Sequence, residues 1–313
     1  MAHDHGHDHG HSHGVGGHSH APASFGKAFA IGVVLNAGYV VAEVIYGRLA
    51  HSVALVADAG HNLGDVLGLL FAWGASYLVT RPPSGKHTYG FRASSILAAL
   101  VNAVVLLVTI GGIAWEAIRR LQHPSDVAGG IVIWVAAAGI LVNGLTALLF
   151  LSGRKGDLNI RGAFVHMAGD AGIAVGVVLA GIAILVTGLR WIDPVVSLVI
   201  VAIILHSTWS LLRDSVNLAL DAVPEGIEIT SVRSYLEGLP DVTEVHDLHI
   251  WAMSTTETAL TAHLVIPEIA DHDGLLARCC EDLHDQFGIE HATLQLECGN
   301  EAHPCARAVV GAV

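Results

Sequence analysis

The chain has 313 residues, of which 53% are hydrophobic and only 14% are charged. A soluble domain normally carries about 25% charged residues, so the composition argues against a purely soluble protein and favours one embedded in membrane lipid. The net charge of −13 resides mainly in residues 214–313, which hold three Lys or Arg against eighteen Asp or Glu, and this lack of basic residues argues against nucleic acid as a partner.

The first element is a histidine-rich tail, residues 1–24. Its first twenty residues contain eight histidines separated by Asp, Gly and Ser. Such a segment cannot bury a core, so we expect it to be disordered and to collect metal ions weakly on the cytosolic side. An expression tag is the alternative interpretation, although the spacing is not that of a plain histidine run.

Six segments of residues 25–213 are long and apolar enough to cross a membrane as helices, at about 1.5 Å per residue. They are expected at 25–46, 53–79, 93–118, 127–151, 162–187 and 192–212. Residues 214–313 then form a soluble domain with the predicted order helix (225–238), strand (242–252), strand (258–266), helix (271–287) and strand (291–297). The fold class is therefore a six-helix membrane domain followed by a small α/β domain.

Six spans put both termini on one side of the membrane, and the basic residues of the loops indicate which side. The second-to-third and fourth-to-fifth connections carry six of them: Arg81, Lys86, Arg92, Arg154, Lys155 and Arg161. The opposite three loops carry four: Arg48, Arg119, Arg120 and Arg190. This bias predicts cytosolic termini, so the four cysteines, all in the α/β domain, are expected to be thiols rather than disulfides.

Two identical polar pairs lie inside the predicted spans. His61 and Asp65 are four residues apart in the second span, and His166 and Asp170 are four residues apart in the fifth. Charged groups within a span cost about 2.5 to 3.5 kcal/mol at the helix centre, so each calls for a functional explanation. Positions i and i+4 share one helix face, so each pair is half of a site, and two imidazoles with two carboxylates form a set that suits zinc.

The two spans run in opposite directions, so we expect His61 to lie level with Asp170, and Asp65 level with His166. A metal-binding imidazole must be neutral and has a free pKa of about 6.5, so protons would compete with the metal for the site. Polar pairs that only hold helices together are the alternative, which the repetition of the motif disfavours.

The longer stretches around these pairs are 52–65 (SVALVADAGHNLGD), 87–91 (HTYGF), 166–170 (HMAGD) and 246–251 (HDLHIW). With them the chain resembles the cation diffusion facilitators, in their zinc-exporting branch. The resemblance implies a homodimer, a metallochaperone-like (ferredoxin-like) cytosolic domain, and alternating access coupled to inward proton flow. It also implies that His61 favours zinc over cadmium, and that a bacterial inner membrane is the location.

The same resemblance makes His246, His263 and Glu297 metal ligands of the cytosolic domain. Thiolates bind zinc strongly, so Cys298 and Cys305 are further candidates for a second site, together with His291, and a partner chain could supply part of it. Where relatives often carry Glu after Tyr-Gly-Phe-Arg, this chain has residues 93–95, Ala-Ser-Ser, a change that the sequence does not explain.

The predicted function is zinc efflux by metal/proton antiport, with zinc both transported and regulatory. The same fold exporting cobalt, iron, cadmium, manganese or nickel is an alternative, because ligand type separates these ions poorly. A membrane metal sensor that does not transport is another. An enzyme is not expected, since an intramembrane zinc hydrolase would need an open ligand position and a general base, and the usual His-Glu-x-x-His helix is absent.

Overall fold

The computed structural model describes residues 27–150, 158–267, 271–299 and 305, and side chains from 34 to 148 and from 164 onward within these ranges. The predicted tail, residues 1–24, lies outside the described residues. The elements, in chain order, are α1 (Lys27–Leu49), α2 (Val53–Val79), α3 (Ser94–Gln122), α4 (Gly129–Phe150), α5 (Leu158–Thr187), α6 (Ile192–Ala219), α7 (Ile229–Glu237), β1 (Glu244–Ala252), β2 (Thr258–Val265), α8 (His272–Phe287) and β3 (His291–Glu297).

Six long helices form the first part of the molecule, as predicted. Over their described residues α2 to α6 are long and apolar enough to span a membrane, and α1, with 23 residues, is also of spanning length. Large apolar side chains such as Trp115, Trp134 and Val186 are more than 70% exposed on the bundle surface. In water such a surface would be costly, whereas lipid tails satisfy it.

Several helices are longer than the hydrophobic segments predicted. α3 runs on to Gln122 and α6 to Ala219, seven residues beyond the expected end at 212. Hydropathy marks where a chain leaves the apolar layer, whereas helical hydrogen bonding continues past that point into water. α6 therefore carries the chain out of the bundle toward the second domain.

Glycines allow α2 and α3 to pack closely. A Cβ at Gly64 would collide with the side chain of Leu106 on α3, and one at Gly60 would lie 2.8 Å from Ile113 Cδ1. Close backbone approach through small residues is the usual way for membrane helices to associate. The two glycines thus hold α3 against the turns of α2 that carry His61 and Asp65.

A buried carboxylate joins the ends of α2 and α6 that lie away from the C-terminal domain. Asp193 accepts hydrogen bonds from Ser52 Oγ (2.5 Å), the Val53 amide (2.7 Å) and the Ala54 amide (3.4 Å). The first amides of a helix have no partners within it and favour negative charge, so this carboxylate caps α2. Asp193 therefore fixes the start of α2 to the start of α6.

The C-terminal domain has the predicted order helix, strand, strand, helix, strand. Its sheet has the order β1-β2-β3, with β1 and β2 antiparallel and β2 and β3 parallel. Both helices contribute apolar side chains to one core with the sheet, among them Leu236, Leu248, Leu264 and Leu283, each fully buried. α7 begins at Ile229 rather than at 225, because Gly226 has a φ of +91° and turns the chain before it.

A β-bulge interrupts β1. Its register with β2 shifts between the pairs His246–His263 and His249–Thr261. Asp247 lies within the bulge and has a φ of +51°, a conformation that aspartate tolerates better than most residues. The bulge breaks the strict alternation of side chains along the strand.

The two parts of the molecule meet at the start of α3. Arg92 forms an ion pair with Glu257 (3.1 Å), and Ser95 Oγ accepts a hydrogen bond from the Thr255 amide (3.0 Å). Glu257 and Thr255 lie in the turn between β1 and β2. The serine that the sequence left unexplained therefore contacts the C-terminal domain.

Candidate metal sites and family membership

Four polar side chains from α2 and α5 meet inside the helical bundle. His61 Nε2 lies 3.1 Å from Asp170 Oδ1, and His166 Nε2 lies 3.3 Å from Asp65 Oδ2. Within each helix the imidazole and carboxylate are 3.9 Å apart in the first pair and 3.7 Å apart in the second. This is the cross-pairing expected for antiparallel helices.

These separations fit one tetrahedral metal ion. Zinc lies about 2.0 to 2.2 Å from nitrogen and oxygen ligands, which places the ligand atoms about 3.3 to 3.6 Å from one another. Ligand atoms of His61, Asp65 and Asp170 already lie within 4.8 Å of one another, while His166 approaches both carboxylates and its ring centre is 5.9 Å from that of His61. Oδ2 atoms of Asp65 and Asp170 are buried, and the His166 imidazole lies 3.3 Å and 3.7 Å from them, so both can serve as ligand atoms when that imidazole is neutral.

Two cavities reach these four residues. The larger, of about 660 Å³, lies between α5 and α6, is lined mostly by apolar side chains, and contacts His61, His166 and Asp170. The smaller, of about 280 Å³, lies among α1, α2, α3 and α5 and contacts Asp65 and His166. An ion at the four-residue site would therefore have space on two sides of it.

The sequence reasoning missed a buried acid beside this site. Glu43 on α1 is fully buried and accepts a hydrogen bond from Asn62 Nδ2 (2.9 Å). It is an acidic residue within the first predicted span, and that position was itself a usable signal. The bond fixes α1 to α2 one residue after His61.

A second group of metal-binding side chains lies at the sheet of the C-terminal domain. His263 Nδ1 lies 2.8 Å from Glu297 Oε1, and His246 Nε2 lies 3.5 Å from Glu297 Oε2. Cys305 Sγ lies 3.5 Å from His263 Nδ1. His246, His263, Glu297 and Cys305 each present one ligand atom within 4.8 Å of the others, and we call them the domain cluster.

Two other predicted ligands lie apart from the domain cluster. His291 begins β3 while Glu297 ends it, a separation of roughly 20 Å along an extended strand. The His291 ring instead stacks edge to face on Tyr89 of the loop between α2 and α3, with ring centres 5.6 Å apart. Cys298 follows the strand, is exposed, and is not part of the domain cluster. Cys305 lies with His263 rather than with His291.

Asp247 is a neighbour of the domain cluster that the sequence did not indicate. Its Oδ2 lies 3.5 Å from His263 Nε2, on the far side of that ring from Glu297. The bulge in β1 makes this approach possible, and the sequence pattern did not predict the bulge. A carboxylate behind a metal-binding imidazole fixes the ring's tautomer and orientation.

The charge state of the domain cluster suits a cation. Burial raises the pKa of the Glu297 carboxyl, but the hydrogen bonds from Cys305 and Gln295 and the nearby imidazoles outweigh it, so the pKa lies below its usual value. Both ring nitrogens of His246 are buried and make no hydrogen bond within the described residues, although Glu297 lies 3.5 Å from Nε2. An ionised carboxylate beside an unsatisfied imidazole is a donor set that a zinc ion would complete.

Comparison with known proteins agrees with this architecture. Residues 29–218 match the family model for the cation efflux transmembrane domain, and residues 224–298 match that for the cytoplasmic domain of cation efflux proteins. The chain belongs to the cation efflux, or cation diffusion facilitator, family. The two matches meet where α6 ends, so this cation efflux protein is an integral membrane protein with an appended α/β domain.

Curated relatives of this cation efflux protein cover most of its length. Zinc transporter ZitB of Escherichia coli is 40% identical over 86% of this chain and 86% of its own. The cadmium, cobalt and zinc/H(+)-K(+) antiporter of Bacillus subtilis is 34% identical over 92% and 93%, and the metal cation efflux system protein CzcD of Cupriavidus metallidurans is 33% identical over 93% and 92%. The zinc-exporting branch named from the sequence is thus confirmed as the relevant part of the family.

Proposed function

We propose that this protein exports zinc across a bacterial inner membrane, away from the side that carries its C-terminal domain, in exchange for protons. His61, Asp65, His166 and Asp170 hold the ion during transport. In this proposal residues 1–24, 25–213 and 214–313 serve as metal-collecting tail, transport domain and cytosolic regulatory domain, and two chains form a homodimer.

The observation that carries the proposal is the meeting of the two His-x-x-x-Asp pairs. A binding site built from two separate helices can open or close when those helices move, and a site with cavities on two sides is suited to release on either. Two carboxylates supply a formal charge of −2, which a divalent cation neutralises inside the membrane. The relatives' names include zinc in two cases and H⁺ exchange in one.

Proton exchange follows from the same contacts. Without a cation, each imidazole faces a carboxylate across the helix interface, at 3.1 Å and 3.3 Å. Protons on His61 and His166 would then compensate the carboxylates in place of zinc. The charges of the site are therefore balanced either by zinc or by protons, and binding of one excludes binding of the other.

The domain cluster is proposed as a second, regulatory zinc site. Residues 214–313 hold eighteen acidic and three basic side chains, so two such domains repel in a dimer. Zinc at both clusters weakens that repulsion and lets the domains approach. Distances between spin labels on the two domains should shorten on zinc addition, and unchanged distances would contradict this part of the proposal.

Zinc flux into everted vesicles under an imposed pH gradient tests the transport function. We expect proton-driven flux in the wild type, and its loss in Asp65→Ala and in Asp170→Ala. Asp126→Ala is the matched control, because Asp126 is an exposed carboxylate paired with Arg190 in a loop, and its flux should equal that of the wild type. Zinc binding without flux in the wild type would favour the sensor, and flux retained in both variants would exclude this transport site.

A further inference from the structure

The smaller cavity has a lining that the four-residue site does not explain. Besides Asp65 and His166 it is bounded by three asparagines and a methionine: Asn36, Asn62, Asn102 and Met167. Its volume of about 280 Å³ has room for several water molecules. Polar side chains around a hydrated space within a membrane bundle mark the path of a polar solute.

Two of the three carboxamide oxygens at this cavity lack partners among the described residues. Asn102 is only 8% exposed, and neither its Oδ1 nor that of Asn36 has a hydrogen-bond donor in the part of the chain that the structure describes. Asn62 differs, since its Nδ2 donates to Glu43. A buried oxygen without a donor costs about 1 to 3 kcal/mol, so each of the two would gain from a hydrogen-bond donor or a cation in the cavity beside it.

The cavity lies on the side of the transport site nearer the C-terminal domain. α2 runs toward that domain, and the lining residues of α2 extend from Asn62 past Asp65 to Leu69. On α5, which runs the opposite way, the cavity contacts His166 and Met167, whereas Asp170 lies beyond them. An ion in this cavity therefore reaches Asp65 and His166 before it reaches the other two ligands.

The packing keeps Asn102 at this position. α3 lies close to α2 at Gly68, where an added Cβ would come within 3.0 Å of Asn102 Nδ2. The amide nitrogen thus faces the backbone of α2, one turn beyond Asp65.

We propose that this cavity is a transit site, where Asn36 and Asn102 bind a partly hydrated divalent cation through their carboxamide oxygens before Asp65 and His166 take it up. This rests on the proposed transport function. Neutral oxygens bind such a cation more weakly than carboxylates do, so the ion sheds part of its water there and moves on. The asparagines act on the rate of loading and contribute nothing to the final four-ligand complex.

Kinetics of zinc uptake in everted vesicles test the transit site, with Asn102→Leu, Asn102→Asp and Asn36→Leu as variants. We expect both leucine variants to raise the KM for zinc by at least about fivefold, because a step in loading is lost. Asn102→Asp keeps an oxygen and adds charge, so its KM should equal or fall below that of the wild type. Equilibrium zinc affinity, measured on purified protein lacking residues 1–24, should stay within about twofold of the wild type in all three.

Asn143→Leu is the matched control. Asn143 on α4 is also buried, at 1% exposed, with an unpartnered Oδ1, but it does not line this cavity. Its substitution should leave the KM unchanged. A KM raised equally by Leu and Asp at residue 102, or raised as much by Asn143→Leu, would overturn the proposal in favour of packing.

The outcomes separate this inference from the proposed function. Normal flux in the wild type with unchanged KM in Asn36→Leu and in both Asn102 variants would overturn the transit site alone. An absence of zinc flux in the wild type would overturn both. If Asn102→Leu does not fold, Asn36→Leu and Asn102→Asp give the same comparison.

Discussion

The molecule contains two groups of histidines and carboxylates, and they are built in different ways. The transport site uses one spacing twice, on two helices, and lies among apolar spans. The domain cluster takes one side chain from each of three strands and a cysteine that follows the last strand. A helical spacing of four can be recognised in a sequence, whereas a cluster across strands depends on register, a bulge and the course of the chain after the sheet.

The two sites also differ in what surrounds them. Ligands of the transport site contact cavities on two sides, and few residues of α2 touch α5. Ligands of the domain cluster are held by the hydrogen-bonded strands of a packed domain. The first is suited to an ion that enters and leaves, and the second to an ion that stays.

The largest effect is expected from removing one ligand at each site in turn. His263→Ala should lower zinc affinity of the domain cluster by at least about 100-fold, since losing a ligand costs more than losing its supporting neighbour. Asp170→Asn should lower zinc affinity of the transport site by a similar factor and leave that of the domain cluster unchanged. Titration calorimetry on protein lacking residues 1–24 measures both.

His284→Ala is the control for that titration, because His284 is an exposed imidazole on α8, away from both sites. It should leave the zinc affinities of the transport site and of the domain cluster unchanged. If either ligand variant abolished zinc binding at both sites, the transport site and the domain cluster would be one coupled unit rather than two different sites.

A smaller effect tests the role of the bulge. Asp247→Asn keeps a residue that tolerates positive φ but removes the charge behind His263, so zinc affinity of the domain cluster should fall about 10-fold. Asp241→Asn is the control, since Asp241 also has positive φ, +64°, yet is exposed and is not part of the cluster. Equal affinities for both variants would mean that the bulge has no part in metal binding.

A further comparison tests the packing of Cys279 in the domain core. Burial, and then the neighbouring Cys280 thiol, raise the pKa of Cys279, which is fully buried in the domain core, whereas Cys280 is exposed. A raised pKa leaves less thiolate at any given pH, so Cys279 should react with maleimide at least about tenfold more slowly than Cys280. Labelling rates of Cys280→Ser and Cys279→Ser measure this, and equal rates would contradict the packing role.

Much of the fold could be predicted because its signals are local. Apolar segments gave six helices, and alternating and amphipathic patterns gave the order of the C-terminal domain. The predicted helix ends were less accurate. α6 continues to Ala219 because helical hydrogen bonding does not stop where the apolar segment ends, at residue 212.

The meeting of the two His-x-x-x-Asp pairs was predictable for a similar reason, since both repeat one local spacing. Contacts between distant segments were not. The pairing of Glu43 with Asn62 depends on how α1 packs on α2, and the approach of Asp247 to His263 depends on a bulge. Cys305 was predicted as a candidate metal ligand together with His291, whereas it lies beside His263. Nothing local to the sequence tells toward which end of β3 the chain folds back.

The capping of α2 by Asp193 has a consequence for movement. Three hydrogen bonds at a buried carboxylate pin α6 to α2 at the end of the bundle remote from the C-terminal domain. A helix that is fixed at one end is displaced most at its other end. We therefore expect Asp193 to act as a pivot, with any separation of α6 from α2 widest near the membrane surface where α6 enters the C-terminal domain, so that this domain moves with the helix it follows.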